Sequence, residues 1–296
     1  MYAIEIIDLN KKYGKIPVLK NLNLTVEKGK IYGFLGKNGS GKTTTIKILT
    51  GLISRYSGMV KIFGEDIKKN KNIIFEKTGS LVENASFYHN LTVEENLKLF
   101  ADYKNVQLSK IKEIINFFSL EKYLNVKFKN LSLGNKQRLG MANSVLHDPE
   151  LLILDEPSNG LDPLGMNEMR NLLFKLSKEM GKTIFVSSHL LSELQMIADN
   201  YGIIDDGYML KELNNEDIKM ENKFILKTSD VKNTIKLINK EKIDFNISED
   251  KLMLFSNEKK VAEIMKLLVN ENILVYECSR HTENLEEIFI KELKGE

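Results

Sequence analysis

A glycine-rich segment, GKNGSGKT, occupies positions 36 to 43, directly after the apolar run KIYGFL. It fits the pattern G-x-x-x-x-G-K-[ST], in which small residues leave successive backbone N–H groups free to point inward. Together with the N-terminus of the following helix, such a loop forms a cradle for phosphate groups. Lys42 would reach the β- and γ-phosphates of a nucleotide there, and the Thr43 hydroxyl would bind Mg²⁺. The loop residues expected to contact the nucleotide are Gly36, Lys37, Asn38, Gly39, Ser40, Gly41, Lys42, Thr43 and Thr44.

An acidic pair, Asp155 and Glu156, ends a second apolar run, LLILDEP. Ligands bind outside the carboxyl ends of the strands in an open parallel sheet, and the pair stands at such an end. Asp155 would hold the Mg²⁺ through water, and Glu156 would polarise the water that attacks the nucleotide. Taken alone, an acidic pair after a strand is equally well explained as the cap of a helix. Combined with the glycine-rich loop, the pair predicts nucleotide hydrolysis.

Strands that could position these residues alternate with helices along the first part of the chain. Apolar or alternating runs separated by Gly- and Lys-rich turns open the sequence, which is typical of strands and hairpins. The continuous apolar runs LLILDEP and TIFVSS are of the kind buried on both faces of a parallel sheet. A helix is expected over roughly 190 to 200, and Asp206-Gly207 predicts a hairpin turn. This order predicts a doubly wound α/β core that is complete by about Leu213.

The pattern changes to helix between the two halves of that core. Thr92 is followed three residues later by Glu95, which predicts a capping box at the start of a helix. Further helical periodicity follows, including the stretch from Lys136 to Leu146. Residues 85 to 147 are therefore expected to form a mostly helical insertion.

A second, smaller domain is expected over residues 216 to 296, after a polar boundary segment. Its pattern predicts the βαββαβ order of a ferredoxin-like unit. The predicted elements are strands at 223 to 228, 243 to 248, 251 to 255 and 272 to 279, and helices at 231 to 240 and 258 to 269. A last amphipathic helix is expected at 282 to 293, packed on the small sheet or on the core.

Composition narrows the possible partners. The net charge is only +2, so there is no electrostatic reason to expect nucleic acid as the main partner. No apolar run approaches the roughly 20 residues that span a bilayer, and the N-terminus lacks the pattern of a signal peptide. The chain itself is therefore expected to stay in the cytoplasm.

The stretch LSLGNKQRLGMANSVLHDPELLILDEPSNGLDP, residues 131 to 163, resembles the ATP-hydrolysing subunits of ABC transporters. It is similar to that family's signature motif, Walker B strand and D-loop in order and spacing, and the resemblance covers essentially residues 1 to 213. It implies an ABC ATPase domain with a mixed sheet, an antiparallel N-terminal β-subdomain and a helical subdomain. It also implies ATP and Mg²⁺ as ligands, and a head-to-tail dimer in which Ser132 and Gly134 contact the γ-phosphate held by the opposite subunit.

Further roles follow from the resemblance alone. Tyr13 matches the aromatic residue that stacks on adenine, and His189 matches the switch histidine that contacts the γ-phosphate and positions Glu156 and water. Asp162 matches the D-loop aspartate that communicates across the dimer. Without the family, each residue has an ordinary interpretation. Tyr13 would be a surface tyrosine, His189 a structural histidine, Asp162 a loop aspartate before proline and Ser132 a helix cap.

Three positions depart from the family pattern. Leu133 and Asn135 replace a glycine and the glutamine of the usual LSGGQ signature, and Glu83 stands where most members have the Q-loop glutamine. An ionised Glu83 can still accept hydrogen bonds from the water shell of the metal, but it cannot donate one. ATP hydrolysis is expected to persist despite these changes. The coupling between the ATP site and a membrane partner is the step that they are most expected to affect.

With these departures, the stretch LTVEENL and a short α/β tail that ends in LEEIF, the chain resembles the ATPase subunits that export peptide antibiotics or confer immunity to them, as in bacitracin and lantibiotic self-protection. The resemblance implies a separate membrane permease, a homodimer or a heterodimer with a paralogue, and a peripheral location on the inner face of the cell membrane. Two alternatives remain open from the sequence: a transporter ATPase for another substrate, or a non-transport ABC-type ATPase acting on the ribosome or DNA. The second usually carries two cassettes or a long coiled coil, and neither is visible here.

Overall fold

The computed structural model describes residues 1 to 83, 87 to 214, 223 to 248 and 251 to 281. The chain divides into two compact units, Met1–Leu213 and Asn214–Glu296. In the described part of the chain, none of the helices is both long and apolar enough to cross a membrane.

The first unit contains two sheets and seven α-helices within its described residues. Its strands are β1 Tyr2–Tyr13, β2 Ile16–Glu27, β3 Ile31–Leu35, β4 Ser57–Ile62, β5 Glu65–Asp66, β6 Thr78–Leu81, β7 Leu151–Asp155, β8 Thr183–Ser188, β9 Asn200–Asp205 and β10 Tyr208–Asn214. Its helices are α1 Lys42–Leu49, α2 Lys71–Glu76, α3 Val93–Tyr103, α4 Leu108–Phe117, α5 Leu133–Ser144, α6 Pro163–Lys178 and α7 Leu191–Gln195.

The larger sheet has the strand order β10-β9-β3-β8-β7-β6, and the pairings along β9-β3-β8-β7-β6 are parallel. Strands β3, β7 and β8 are buried along their whole length, as expected for strands covered on both faces. The predicted hairpin turn is present between β9 and β10, where Asp206 and Gly207 both have positive φ. The carboxyl ends of β3, β8 and β7 therefore lie side by side.

The smaller sheet of this unit has the order β2-β1-β4-β5, with every pairing antiparallel. One face of it joins the buried core of the larger sheet, so that Ile4, Leu22 and Val60 pack in the same cluster as Phe34 and Ile153. The expected α/β core with an antiparallel N-terminal sheet is thus confirmed.

The segment between β6 and β7 is helical, as predicted. Thr92 caps α3 in a reciprocal capping box with Glu95. The fully buried Asn96 holds the preceding loop through its carboxamide: Oδ1 accepts from the Tyr88 N–H, and Nδ2 donates to the carbonyls of Tyr88, Leu91 and Thr92. The entry into the helical segment is therefore fixed by side-chain hydrogen bonds.

The prediction of a helix over roughly 190 to 200 is wrong in length, because α7 ends at Gln195. Asp199 fixes the start of β9 beside β3, because its N–H donates to the carbonyl of Ile31 and its carboxylate accepts from the Ile31 N–H. These bonds to β3 are long-range, so the local periodicity could not reveal them.

The second unit contains β11 Lys223–Thr228, α8 Val231–Lys240, β12 Asp244–Ser248, β13 Lys251–Phe255, α9 Glu258–Asn270 and β14 Val275–His281. Its sheet has the order β12-β13-β11-β14, and all pairings are antiparallel. Leu226, Leu254, Ile238, Ile264 and Leu268 form the centre of its own core. The helix expected at 282 to 293 lies outside the described residues.

Lys104 and His147 form a half-buried pair, which is expected to make the stability of the first unit depend on pH. Lys104 Nζ donates to the Asn143 carbonyl (2.8 Å) and lies 3.3 Å from His147 Nδ1, while His147 Nε2 lies 3.2 Å from the Thr78 carbonyl oxygen. Burial lowers the pKa of Lys104 to about 8. Burial, with the Lys104 ammonium beside it, also lowers the pKa of His147 below its usual value. Because a carbonyl oxygen can only accept, His147 Nε2 carries a proton and donates it to Thr78.

We expect the free energy of unfolding of the wild type to rise relative to that of a Lys104→Met variant as the pH rises from 8 to 10. Between the folded pKa of about 8 and the ordinary value of 10.5, the unfolded chain binds more protons at Lys104 than the folded chain does. Urea unfolding of both proteins at pH 8, 9 and 10 measures the difference between their free energies of unfolding. Groups that titrate in the same way in both proteins cancel in that difference. A difference that stays constant or shrinks with pH would contradict the lowered pKa.

Candidate functional site

The glycine-rich loop connects the carboxyl end of β3 to the start of α1, as the sequence predicts. Gly41 has φ of 113°, a conformation that L side chains rarely adopt. A Cβ on Gly36 would lie 2.4 Å from the backbone oxygen of Ile204, so a side chain there would displace the adjacent strand. These two glycines are required by the backbone geometry of the loop.

Lys42 lies inside this loop with only 4% of its surface exposed. Its Nζ donates to the carbonyls of Gly36 (2.7 Å) and Lys37 (3.1 Å), and it lies 3.4 Å from Glu156 Oε1. The ammonium group is therefore held at the loop by backbone oxygens and faces the acidic end of β7.

Strand β8 lies between β3 and β7, and the hydroxyl of its Ser187 orients the acidic pair. Ser187 Oγ donates to Asp155 Oδ1 (2.7 Å) and accepts from the Glu156 N–H (3.0 Å). Asp155 is 5% exposed, and Glu156 has φ of 45°. The strand end thus turns sharply, with Asp155 fixed below the surface and Glu156 pointing to the loop.

His189 follows β8 and pairs with Glu156. Its Nδ1 lies 2.9 Å from Glu156 Oε2, while the other carboxylate oxygen faces Lys42. The side chains of Glu156 and His189 are 19% and 32% exposed. Glu156 therefore sits between two groups that stabilise its charge when His189 is protonated, and it can still be reached by water.

A cavity of about 300 Å³ opens beside this arrangement. We call it the loop cavity; it is lined by Thr43, Glu83, Gln137, Asp155, Glu156 and Asn159. Hydroxyl and carboxylate oxygens are the ligands that Mg²⁺ prefers, and it usually completes its shell with water and substrate phosphates. Across the described ranges no group of three or more His, Cys, Asp or Glu side chains forms a metal site by itself. The oxygens of Thr43, Asp155 and Glu83 fit a magnesium ion that also binds a nucleotide.

Sequence reasoning missed two residues of the loop cavity, Gln137 and Asn159. Gln137 Nε2 donates to the Asn159 carbonyl, 3.1 Å away, and so joins α5 to the loop after Glu156. Asn159 could have been suspected from its place three residues after Glu156. Gln137 gives no local signal, because it reaches the cavity only through the packing of the helical segment.

Glu83 lies at the edge of the loop cavity with φ of 56°. Its carboxylate pairs with Lys47 of α1 at 2.6 Å, and this hydrogen bond raises the pKa of Lys47. The two side chains are 61% and 31% exposed, and exposed ion pairs contribute about 0 to 1 kcal/mol. Glu83 is therefore paired here but can be released at small cost.

Two of the residues assigned by resemblance cap helices. Ser132 Oγ accepts from the Asn135 N–H and begins α5, whose first turn contains Gly134. Asp162 Oδ1 accepts from the Gly165 N–H (2.8 Å) and begins α6. The three residues Ser132, Gly134 and Asp162 line a second cavity of about 510 Å³, the signature cavity. None of them lines the loop cavity within the described residues.

The remaining predicted residues surround the loop. Tyr13 is 49% exposed at the end of β1, with Lys11 Nζ 4.8 Å from its ring centroid. Lys37, Asn38 and Gly39 are exposed, Thr44 is half-buried, and Ser40 is buried. The structure thus brings Lys42, Thr43, Glu83, Asp155, Glu156 and His189 together. Tyr13 lies near Lys47, the ion-pair partner of Glu83, and the signature residues line the other cavity.

Comparison with known proteins agrees with this geometry. Residues 19 to 159 match the family model described as ABC transporter. The chain is 42% identical to the bacitracin transport ATP-binding protein BcrA of Bacillus licheniformis, over 99% of this chain and 97% of that protein. It is 41% identical to the lantibiotic transport ATP-binding protein SrtF of Streptococcus pyogenes, over 71% of this chain and 90% of that protein.

Solved structures resemble the first unit. A dimeric ATP-binding cassette in a post-hydrolysis state with ADP and Pi is 26% identical, with a TM-score of 0.65 over 72% of this chain and 98% of that chain. The phosphate-binding loop, the acidic strand end and these relatives together show that the chain belongs to the ABC transporter family, as an ATP-binding and ATP-hydrolysing subunit.

Proposed function

We propose that this chain powers a separate membrane permease that exports a peptide antibiotic, or confers immunity to one, of the bacitracin or lantibiotic kind. The observation that carries the proposal is the 42% identity to a bacitracin transport ATP-binding protein over 99% of the chain. That likeness extends beyond the ATPase unit through the second unit.

In the proposed ATP site, Lys42 and the loop N–H groups bind the phosphates, while Tyr13 packs on the adenine. Thr43 and Asp155 would hold Mg²⁺, with Glu83 accepting from its water shell. The bound ion would neutralise charge on the phosphates. Glu156 takes the proton of the attacking water, and His189, 2.9 Å from it, keeps the carboxylate oriented.

The signature and loop cavities share no lining residue. Ser132 and Gly134 line the signature cavity, whereas Glu156, next to Lys42, lines the loop cavity. We propose that two copies, or one copy and a paralogue, associate head to tail so that each signature cavity faces the other copy's loop. ATP would then be enclosed between two chains.

The proposed domain boundaries are 1 to 213 for the ATPase, with a helical subdomain at about 85 to 147, and 216 to 296 for a ferredoxin-like accessory domain. We assign the accessory domain a protein-contact role. The permease would hold the complex at the inner face of the cell membrane, and nucleic acid has no part in this function.

A resistance assay tests the proposed substrate. We expect a sensitive host expressing the chain with the permease that co-purifies with it to tolerate more bacitracin or lantibiotic than the same host with the permease alone. A Glu156→Gln chain expressed at the same level is the control and should give no protection. Unchanged susceptibility to both peptide classes, with ATP hydrolysis intact, would contradict the proposed substrate and leave the ATPase assignment standing.

A further inference from the structure

A buried carboxylate, Glu193, lies on the short helix α7 behind the proposed catalytic pair. It is 8% exposed, and its Oε2 lies 3.0 Å from Ser158 Oγ and 3.0 Å from Ser188 Oγ. Its other oxygen, Oε1, is buried with no hydrogen-bond partner, and no cation of the described residues forms an ion pair with it. The side chain is thus an acceptor shared by two hydroxyl groups.

Stability does not explain this residue. A buried charge without an opposite charge is costly, and replacing buried polar groups with well-packed apolar ones is often neutral or stabilising. The side-chain contacts of Glu193 are with the hydroxyl groups of Ser158 and Ser188, so its effect on the structure is to hold those two serines.

The two hydroxyls that contact Glu193 belong to the two loops that carry the catalytic pair. Ser158 is two residues after Glu156, and Ser188 directly precedes His189. At the surface these loops meet through His189 Nδ1 and Glu156 Oε2, 2.9 Å apart. Below the surface they meet through Ser158, Glu193 and Ser188. Glu193 thus provides a second, water-shielded connection between the same two loops.

This buried connection also reaches the loop that leads to the dimer surface. Ser158 is followed by Asn159, whose carbonyl accepts from Gln137 at the loop cavity, and then by Asp162 at the signature cavity. A shift of Ser158 would therefore move both the Glu156 turn and the lining of the two cavities.

We propose that Glu193 is a positioning residue for ATP hydrolysis, which holds the loop after β7 against the loop after β8 and so sets the geometry of Glu156 with His189. The inference rests on the proposed roles of those two residues. Glu193 lines neither the loop cavity nor the signature cavity, so its role is to position the residues that do. Its loss should lower kcat and leave the KM for ATP nearly unchanged.

The test compares five full-length variants with the wild type by ATPase kinetics and thermal unfolding. Glu193→Met removes both acceptor oxygens, and we expect kcat to fall by roughly 10- to 100-fold, the scale of a misplacement near 1 Å. Glu193→Gln keeps one acceptor oxygen and should recover most of the rate. The single substitution Ser158→Ala should lower kcat. Combined with Glu193→Met, it should cause no further fall in kcat, because both substitutions break the same connection. Ser192→Ala, at an exposed position of α7, is the matched control with wild-type kinetics.

A wild-type kcat in the Glu193→Met variant would overturn this inference and leave the proposed function unaffected. A fall in kcat that accompanies a matching loss of thermal stability, without rescue by Glu193→Gln, would overturn it in favour of a merely structural role. A wild-type chain that binds ATP and does not hydrolyse it would instead contradict the catalytic assignments, and the inference with them.

Discussion

Replacing Glu156 by glutamine is expected to lower ATP turnover by roughly 10²- to 10⁴-fold, the usual contribution of a general base, while ATP still binds. The substitution preserves size and leaves an oxygen for His189, so the shape of the loop cavity is kept. The amide cannot take a proton from water, whereas the carboxylate between Lys42 and His189 can. With hydrolysis blocked, the ATP-bound head-to-tail dimer should accumulate.

Phosphate release and size-exclusion chromatography in the presence of ATP and Mg²⁺ measure the two effects. Glu179→Gln is the matched control, because Glu179 is exposed at the end of α6 and far along the chain from the acidic strand end. It should hydrolyse ATP as the wild type does and show no added dimer. A Glu156→Gln protein with normal turnover would refute the role given to this carboxylate.

Replacing Lys42 by alanine is expected to weaken ATP binding by about a hundredfold. A hydrogen bond to a charged group contributes about 1.5 to 3 kcal/mol, and two such bonds to the phosphates correspond to at least a factor of one hundred. The loop would also lose the donor that bonds the carbonyls of Gly36 and Lys37. Binding and local loop order should therefore decline together.

Isothermal titration with ATP measures the affinity of this variant. The control is Lys30→Ala, which removes an exposed lysine next to the opposite end of β3 and should bind ATP as tightly as the wild type. Equal affinities for the Lys42→Ala variant and the wild type would show that the phosphates are not bound at this ammonium group.

Much of the proposed site could be predicted because its signals are local. A strand, a glycine-rich turn and a helix follow one another within a short stretch, so Gly36, Gly41 and Lys42 are constrained by their immediate neighbours. The capping box of Thr92 with Glu95 and the turn at Asp206-Gly207 were predicted correctly for the same reason.

Other predictions could not be made or were inaccurate because they depend on distant contacts. The helix after His189 is shorter than its periodicity suggests, since Asp199 bonds to β3. The local sequence around Glu193 is typical of an exposed helix surface and does not predict a buried carboxylate. Only folding brings Glu193 to Ser158, 35 positions away. Gln137 is likewise carried to the loop cavity by α5.

The sequence by itself determined that this chain binds a nucleotide through a phosphate loop and an acidic strand end, because both patterns follow from backbone and side-chain chemistry within a few residues. Only the tertiary structure decided how the pieces meet: β8 lies between β3 and β7, which places His189 against Glu156 and Glu156 near Lys42. It also placed Ser132 and Glu156 in different cavities and buried Glu193 between the two catalytic loops. Strand order and long-range packing fix these distances, and no local pattern encodes them.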